Sequence, residues 1–274
     1  MSIDESIKTA TSGVALVGEI IKAAGDNPNV KEAGTNLGKT ALTITKTINN
    51  ALLPLAAVNF AFDKARVYFA EKFQQDISQK ASRIPSEQII EPKASIAGPA
   101  LQGLAFTHEE ANLKDMYLSL LATAMDGRVA GEAHPAFVEI IKQLSSDEAE
   151  LIRGVLQSTN AIAIAEIRLT KIDTGGWQTL TSHLLNLRNS HTRSAIENPK
   201  LPAMVDNWIR LGLAEVSYLN FLQGEDSYTW INGRPEVTRF RQEYENATQK
   251  VTFANGVILR TALGVQFAKA VGLA

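Results

Sequence analysis

Residues 92–156 read PKASIAGPALQGLAFTHEEANLKDMYLSLLATAMDGRVAGEAHPAFVEIIKQLSSDEAELIRGVL, and this stretch decides the fold class. Thr107 and Glu110 stand as T-x-x-E, the capping-box pattern in which a hydroxyl takes the N3 amide and the acid reaches back to the cap amide. Leu113, Met116, Tyr117, Leu120, Leu121 and Ala124 follow as an i, i+3, i+4, i+7, i+8 stripe, one apolar face of an α-helix. Asp126-Gly127 ends that helix, glycine taking the left-handed conformation at little cost. Pro135 suits a first helical turn, where its missing N–H would be unpaired anyway. Phe137, Ile140, Ile141 and Leu144 form the face behind it. Ser145 and Glu148 make a second capping box ahead of Ala149, Ile152, Val155 and Leu156. Gly98-Pro99 starts or kinks a helix carrying Leu101, Leu104 and Phe106. Three or four short helices packed on one another are expected here.

On the N-terminal side, Ser2 and Glu5 form a third capping box. Ile3, Ile7, Ala10, Val14, Val17 and Ile21 then make a heptad-like seam that wants another helix against it, in the same chain or in a second copy. Gly25 closes this helix and Asn27-Pro28 opens the next. Residues 33–40, AGTNLGKT, satisfy a loose phosphate-loop pattern. No strand precedes them, as such a loop requires, so they read as helix. After Pro54 a long helix over residues 55–82 carries Leu55, Val58, Phe62, Ala65, Phe69, Phe73 and Ile77 on one side. Pro85 and Pro92 set an extended link.

Beyond Leu156 the code changes. Residues 161–172 read as a short strand, a helix, or a helix plus strand. Gly175-Gly176 is a turn, and residues 177–189 with Leu180, Leu184, Leu185 and Leu187 read as a helix. Residues 200–211 form another helix, ended by Gly212. Residues 213–219 alternate as a strand. After a polar loop, residues 235–249 read as an exposed charged helix. Residues 251–260 read as strand, Asn255-Gly256 turn, strand, and Thr261 caps a last helix. The order helix, helix, strand, loop, strand, helix resembles a winged helix, with residues 200–211 as its recognition-type helix. The expected fold class is therefore mainly α. Its parts are N-terminal helices over 1–91 (a helical hairpin plus a long amphipathic helix), a central helical block over 92–144, and a small winged-helix-like α/β domain over 145–274.

The chain has 274 residues, 45% of them hydrophobic, and a formal net charge of −2. Residues 1–90 hold 10 Lys/Arg against 9 Asp/Glu, residues 91–144 hold 4 against 7, and residues 145–274 hold 13 against 13. No segment is basic in bulk, which weighs against a function built on nucleic acid. There is no cysteine, so disulfides and thiolate metal sites are excluded and a cytoplasmic protein is expected. The polar start MSIDESIKTA offers no secretory signal. The longest near-apolar run, residues 51–62, is too short to span a bilayer.

The block made by Gly98 to Leu101, Glu109-Glu110, LSLLATAMD at 118–126 and HPAFVEIIKQLSSDEA at 134–149 resembles the abortive infection alpha family of bacterial phage-resistance proteins. The resemblance implies a helical N-terminal part, an α/β C-terminal part and an antiphage defence role. It carries over no catalytic residue.

The four histidines, His108, His134, His183 and His191, lack metal-ligand spacing. No nucleophile motif is present, so no catalytic, cofactor or metal residues are assigned and the reading leans away from an enzyme. Three positions in the family-like block are candidate functional residues: His134, Phe137 and Glu139. For His134 the favoured reading is a helix-start residue bonding local backbone, with a functional role second. Arg188, Arg193, Lys200 and Arg210 are the candidate nucleic-acid contacts of the winged-helix reading. The expected function is abortive-infection-type antiphage defence through protein contacts. Its partner would be a protein, including one made by the phage, with homo-oligomers formed through the N-terminal helices. Two alternatives stand beside it: a winged-helix DNA-binding regulator, and a membrane-acting toxic effector using residues 41–80 without spanning.

Overall fold

The computed structural model describes residues 64–274 apart from Arg66 and Ala70. The heptad-like seam, the phosphate-loop look-alike and most of the segment read as membrane-active lie outside the described residues. The chain divides into two units: unit 1 takes residues up to Glu150 together with Gln266–Leu273, and unit 2 takes Leu151–Val265 with Ala274.

Unit 1 is helical. Its helices are α1 (Phe73–Ala81), α2 (Ala94–Thr107), α3 (Ala111–Met125), α4 (Pro135–Lys142) and the start of α5 (Ser146–Gln157). The described part of the 55–82 stripe is core: Phe69, Phe73 and Ile77 are buried, and the two Phe rings meet edge to face at 5.0 Å. α3 packs on α1, α2 and α4. Gly103 on α2 makes room for Tyr117, since a Cβ there would lie 2.4 Å from the tyrosine hydroxyl. The Ser145–Glu148 capping box forms as its pattern requires: Ser145 N–H donates to Glu148 Oε2 at 2.9 Å, and Glu148 N–H donates to Ser145 Oγ at 3.3 Å.

Three details of the central stretch differ from the expectation. Thr107 is the last residue of α2 and donates its hydroxyl to the Gly103 carbonyl, so Thr107-Glu110 is no capping box. Phe106 is exposed. Gly127 keeps a negative φ; its amide donates to the Gln88 carbonyl at 2.8 Å, and a Cβ would stand 3.1 Å from that oxygen. Close approach, not handedness, calls for glycine there.

Unit 2 overturns the mainly α, winged-helix expectation. It holds a four-stranded antiparallel sheet of order β2-β1-β4-β3, with β1 at Ile162–Lys171, β2 at Trp177–Leu184, β3 at Ala214–Ser217 and β4 at Gln249–Arg260. Helix α6 (Leu201–Arg210) lies between β2 and β3, and α7 (Pro235–Tyr244) between β3 and β4. The chain closes with α8 (Ala262–Ala270), capped by Thr261, whose Oγ1 accepts from Gly264 N–H at 2.9 Å. The architecture is α and β mixed.

Residues 177–184, expected as helix, form a strand. Leu180 and Leu184 are four apart, a spacing that serves a helical face and also two steps of a strand's period of two. Tryptophan and two threonines favour the pleated surface. Asn255-Gly256, expected as a hairpin turn, runs straight through β4, where Asn255 pairs with Ala165 and Gly256 with Ile164. A Cβ at 256 would stand 2.6 Å from the Ser217 carbonyl oxygen, so this glycine serves strand packing.

One face of the sheet is covered. Ala165, Ile167, Leu184, Ile231, Val237 and Val251 form a buried cluster, with Phe240, Phe253, Tyr228 and Trp230 packed on it. Beside it lies Arg234, 1% exposed. Its guanidinium donates to Glu236 at 2.6 and 3.2 Å and to the carbonyls of Leu187 at 2.8 Å and Ile196 at 2.6 Å. A buried guanidinium is tolerated only when its donors are satisfied; here they tie the 185–197 segment to the start of α7. Replacing Arg234 with alanine strands Glu236 and two carbonyls. Urea unfolding of Arg234→Ala should show a loss of about 3–5 kcal/mol. The double variant Arg234→Ala/Glu236→Ala should lose less than the sum of the two single changes, because one coupled pair is removed in both.

Candidate functional site

The most unusual geometry in unit 2 lies at the end of β2. The β1–β2 register slips twice, between Ala165 and Ile167 and between Ile167 and Arg168. Such bulges re-aim side chains, and the strand then reaches His183 with φ of +58°. Among the described residues only His183 and Arg193 are non-glycines with positive φ. A left-handed backbone at a non-glycine residue persists only when its surroundings hold it there.

The surroundings are Tyr218 and Asp206. His183 N–H donates to the Tyr218 hydroxyl oxygen at 3.0 Å. The same hydroxyl lies 3.1 Å from His183 Nδ1, and His183 Nε2 lies 3.1 Å from Asp206 Oδ1. The two rings stack at 6.1 Å. A carboxylate only accepts, so Nε2 donates to Asp206; the Tyr218 oxygen accepts the His183 amide, and with Nδ1 unprotonated the tyrosine O–H donates to it. β2 supplies the histidine, α6 the aspartate, and the residue after β3 the tyrosine.

A histidine between a carboxylate and a hydroxyl has the parts of a nucleophile triad. Its environment argues for holding instead of turnover. Burial pushes the Tyr218 phenol up to about 12, so it stays a hydroxyl donor at neutral pH. His183 is 9% exposed and both ring nitrogens are engaged. The neighbouring cleft, lined by Thr181, Ser182, His183, Pro199 and Arg239, measures about 200 Å³. That is below the roughly 300–1,000 Å³ of ligand pockets, and the Arg239–Glu197 ion pair at 2.6 Å lies along its wall. In unit 1 a depression of about 610 Å³ lies beside Lys64, Tyr68, His108 and Lys114. Lys64 pairs with Glu109, Lys114 pairs with Asp76, and Tyr68 stacks on His108 at 5.0 Å. No group of three or more acidic or histidine side chains suited to a metal occurs among the described residues.

What the constellation holds is a loop. Ser217 Oγ accepts from the amides of Leu219 and Asn220, both at 3.2 Å. At the far end the Tyr228 hydroxyl accepts from Leu222 N–H at 3.0 Å and donates to the Gly256 carbonyl at 2.7 Å. Between these tyrosines Leu219 is 93% exposed and Phe221 51%.

The positions singled out in the sequence fall elsewhere. His134 caps α4, its Nδ1 accepting from Ala136 N–H at 3.1 Å. Phe137 is buried, edge-on to Phe267 at 5.6 Å. Glu139 is exposed and pairs with Lys142 at 2.8 Å. Of the four basic candidates the structure brings two together: Arg188 Nη1 donates to the Arg193 carbonyl at 3.3 Å. Lys200 and Arg210 stand at opposite ends of α6, about 15 Å apart along a helix of this length, with Arg210 bonded to Asn207. The helix they frame is no recognition helix, since the winged-helix topology is absent. Tyr218 and Arg234 escaped the sequence reading. Their one sequence signal is a tyrosine or arginine beside a strand or helix end, which is too common to select them.

A family model described as abortive infection alpha matches residues 65–271, more than half of the 274-residue chain. No curated protein and no solved structure matches at a comparable level.

The Tyr218 bolt has a pH signature. Its phenol titrates at about 12 when folded against 10.0 for a free tyrosine. The folded chain therefore binds the proton more tightly, and this contribution to stability is full below pH 10 and falls as pH rises through the window to about 12. The stability difference between the native protein and Tyr218→Phe, from urea unfolding, should shrink between about pH 10 and about pH 12. At neutral pH the Tyr218→Phe change should cost about 1–3 kcal/mol, because the His183 amide loses its acceptor.

Proposed function

The chain belongs to the abortive infection alpha family, and from that premise we propose that it defends its host against phage through contacts with a protein, without turning over a substrate. The observation that carries the second half is the braced 218–228 loop. It exposes Leu219 and Phe221 while its backbone polar groups are bonded at both ends. Solvent-facing apolar side chains on a fixed loop suit recognition, because little ordering remains to be done on binding. The reading places the protein in the cytoplasm, in keeping with a chain that has no cysteine; no helix among the described residues is long and apolar enough to cross a membrane. A partner made by the phage, and self-association through the N-terminal helices, belong to the same proposal.

Plating a broad phage panel on host cells with and without the gene tests it. Protection against at least one phage is the expected outcome, and equal plaque counts throughout would sink the reading. Tyr218→Phe should weaken protection while the purified protein stays folded.

A further inference from the structure

We propose that residues 218–228 form a docking loop that seats Leu219 and Phe221 in an apolar pocket rimmed by lysine or arginine on a partner protein. This rests on the protein-contact reading above and names the chemistry of the partner.

The loop's shape is set from inside. Ser217 closes its first turn by accepting two amides, and Tyr218 is held by His183. Ser227 N–H donates to the Gly224 carbonyl at 3.0 Å. Trp230 Nε1 donates to the Ser227 carbonyl at 2.9 Å. Tyr228 and Trp230 pack on the buried cluster beneath the sheet. A loop free to collapse would turn Leu219 inward with them, because removing apolar surface from water is favourable. This one keeps it 93% exposed. The cost of ordering is already met in the free protein, which favours tight and specific docking.

Charge selects the partner. Across residues 217–231, SYLNFLQGEDSYTWI, the charged side chains are Glu225 and Asp226, both acidic and both exposed. An anionic bilayer would repel this loop, since surface potential attracts basic segments. Nucleic acid would repel it for the same reason. A protein pocket with an apolar floor and a cationic rim complements it, the apolar anchors supplying affinity and the acids steering approach.

The test uses the full chain. A photoreactive phenylalanine analogue is placed at 219 or 221, cells are irradiated with and without phage infection, and the cross-linked peptide is identified. The protein it marks is then purified and its affinity measured for the native chain, for Leu219→Ser/Phe221→Ser, and for Glu225→Lys/Asp226→Lys. Both pairs are solvent-facing, so melting temperatures should not move. The expected result is one protein cross-linked at a basic, apolar surface, with roughly a 30-fold or greater loss of affinity in the serine variant, the size of an interface anchor. The lysine variant should associate about tenfold more slowly. Flotation with phosphatidylcholine–phosphatidylglycerol vesicles is run in parallel. Binding to vesicles that depends on Leu219 and Phe221 would overturn the proposal in favour of a membrane, as would cross-links to no protein in protected cells. If the gene protects and the serine variant protects equally well, the loop is not the docking element although the protein-contact reading stands. If the gene itself gives no protection, that earlier reading fails.

Discussion

The pairing of β1 with β4 is the constraint on which unit 2 depends. Ten consecutive residues match, from Ile162 with Ile258 to Lys171 with Gln249, without a slip. A strand's side chains alternate, so this register assigns every residue a face. Ala165, Ile167, Val251 and Phe253 go to the covered side. The other side carries Glu166, Arg168, Thr170 and Thr252 toward one end and the buried Ile164 and Ile258 toward the other. Their polar groups are settled there: Glu166 pairs with Arg168 at 2.6 Å, Arg168 lies 3.5 Å over the Trp177 ring, and Thr170 meets Thr252 at 2.6 Å. A shift of one residue would drive an ion pair into the apolar cluster and turn isoleucine out, at a cost no alternative pairing recovers.

The two strands stand far apart in sequence, so the closed ladder has to accommodate everything between them. Arg234 holds part of it together. It reaches the Leu187 and Ile196 carbonyls from the threshold of α7, whose Val237 and Phe240 sit in the cluster under β1 and β4. The edge strands β2 and β3 are then positioned by α6, which packs on both. Asp206 on that helix meets His183 on β2 as a by-product of this packing. The site is a consequence of the sheet's order, β2 and β3 being brought into relation by a helix although neither pairs with the other.

This explains what could be read in advance and what could not. Caps are local: Ser145 with Glu148, His134 with the Ala136 amide, and Thr261 with the Gly264 amide at α8 lie within a few residues of their partners, and their chemistry fixes them. The α3 stripe was legible from its helical spacing, although the helix is buried on more than that face, with Leu118, Ala122 and Met125 buried too. Thr107-Glu110 shows the limit, a correct local pattern overruled because α2 continues through Thr107. The sheet was misread where spacing is degenerate, as with Leu180 and Leu184. It was misread again where a glycine's purpose is remote, since Gly256 answers to Ser217 and Tyr218. The Asp206–His183–Tyr218 set was illegible because its members lie on three elements and only the misread sheet brings them together.

His183 carries a left-handed backbone with no glycine to ease it, a conformation that ordinarily costs about 1–3 kcal/mol. Three hydrogen bonds and a stacked ring offset that cost. All but one of these contacts are to a single side chain, Tyr218, and Tyr218 is the first residue of the exposed loop. A strain serving only the sheet would be relieved by a glycine at 183, which would keep the backbone amide bond and lose the ring contacts. Histidine there adds a second hold on the tyrosine and a link to α6. The same loop is held again by Tyr228 at its other end, yet its most apolar side chain faces water. Isolated exposed leucines are ordinary on protein surfaces. A leucine displayed on a loop whose base is fixed by a left-handed backbone and two tyrosine hydroxyls is a different situation, because the hydrogen bonds that brace the loop also set the side chain's exposure.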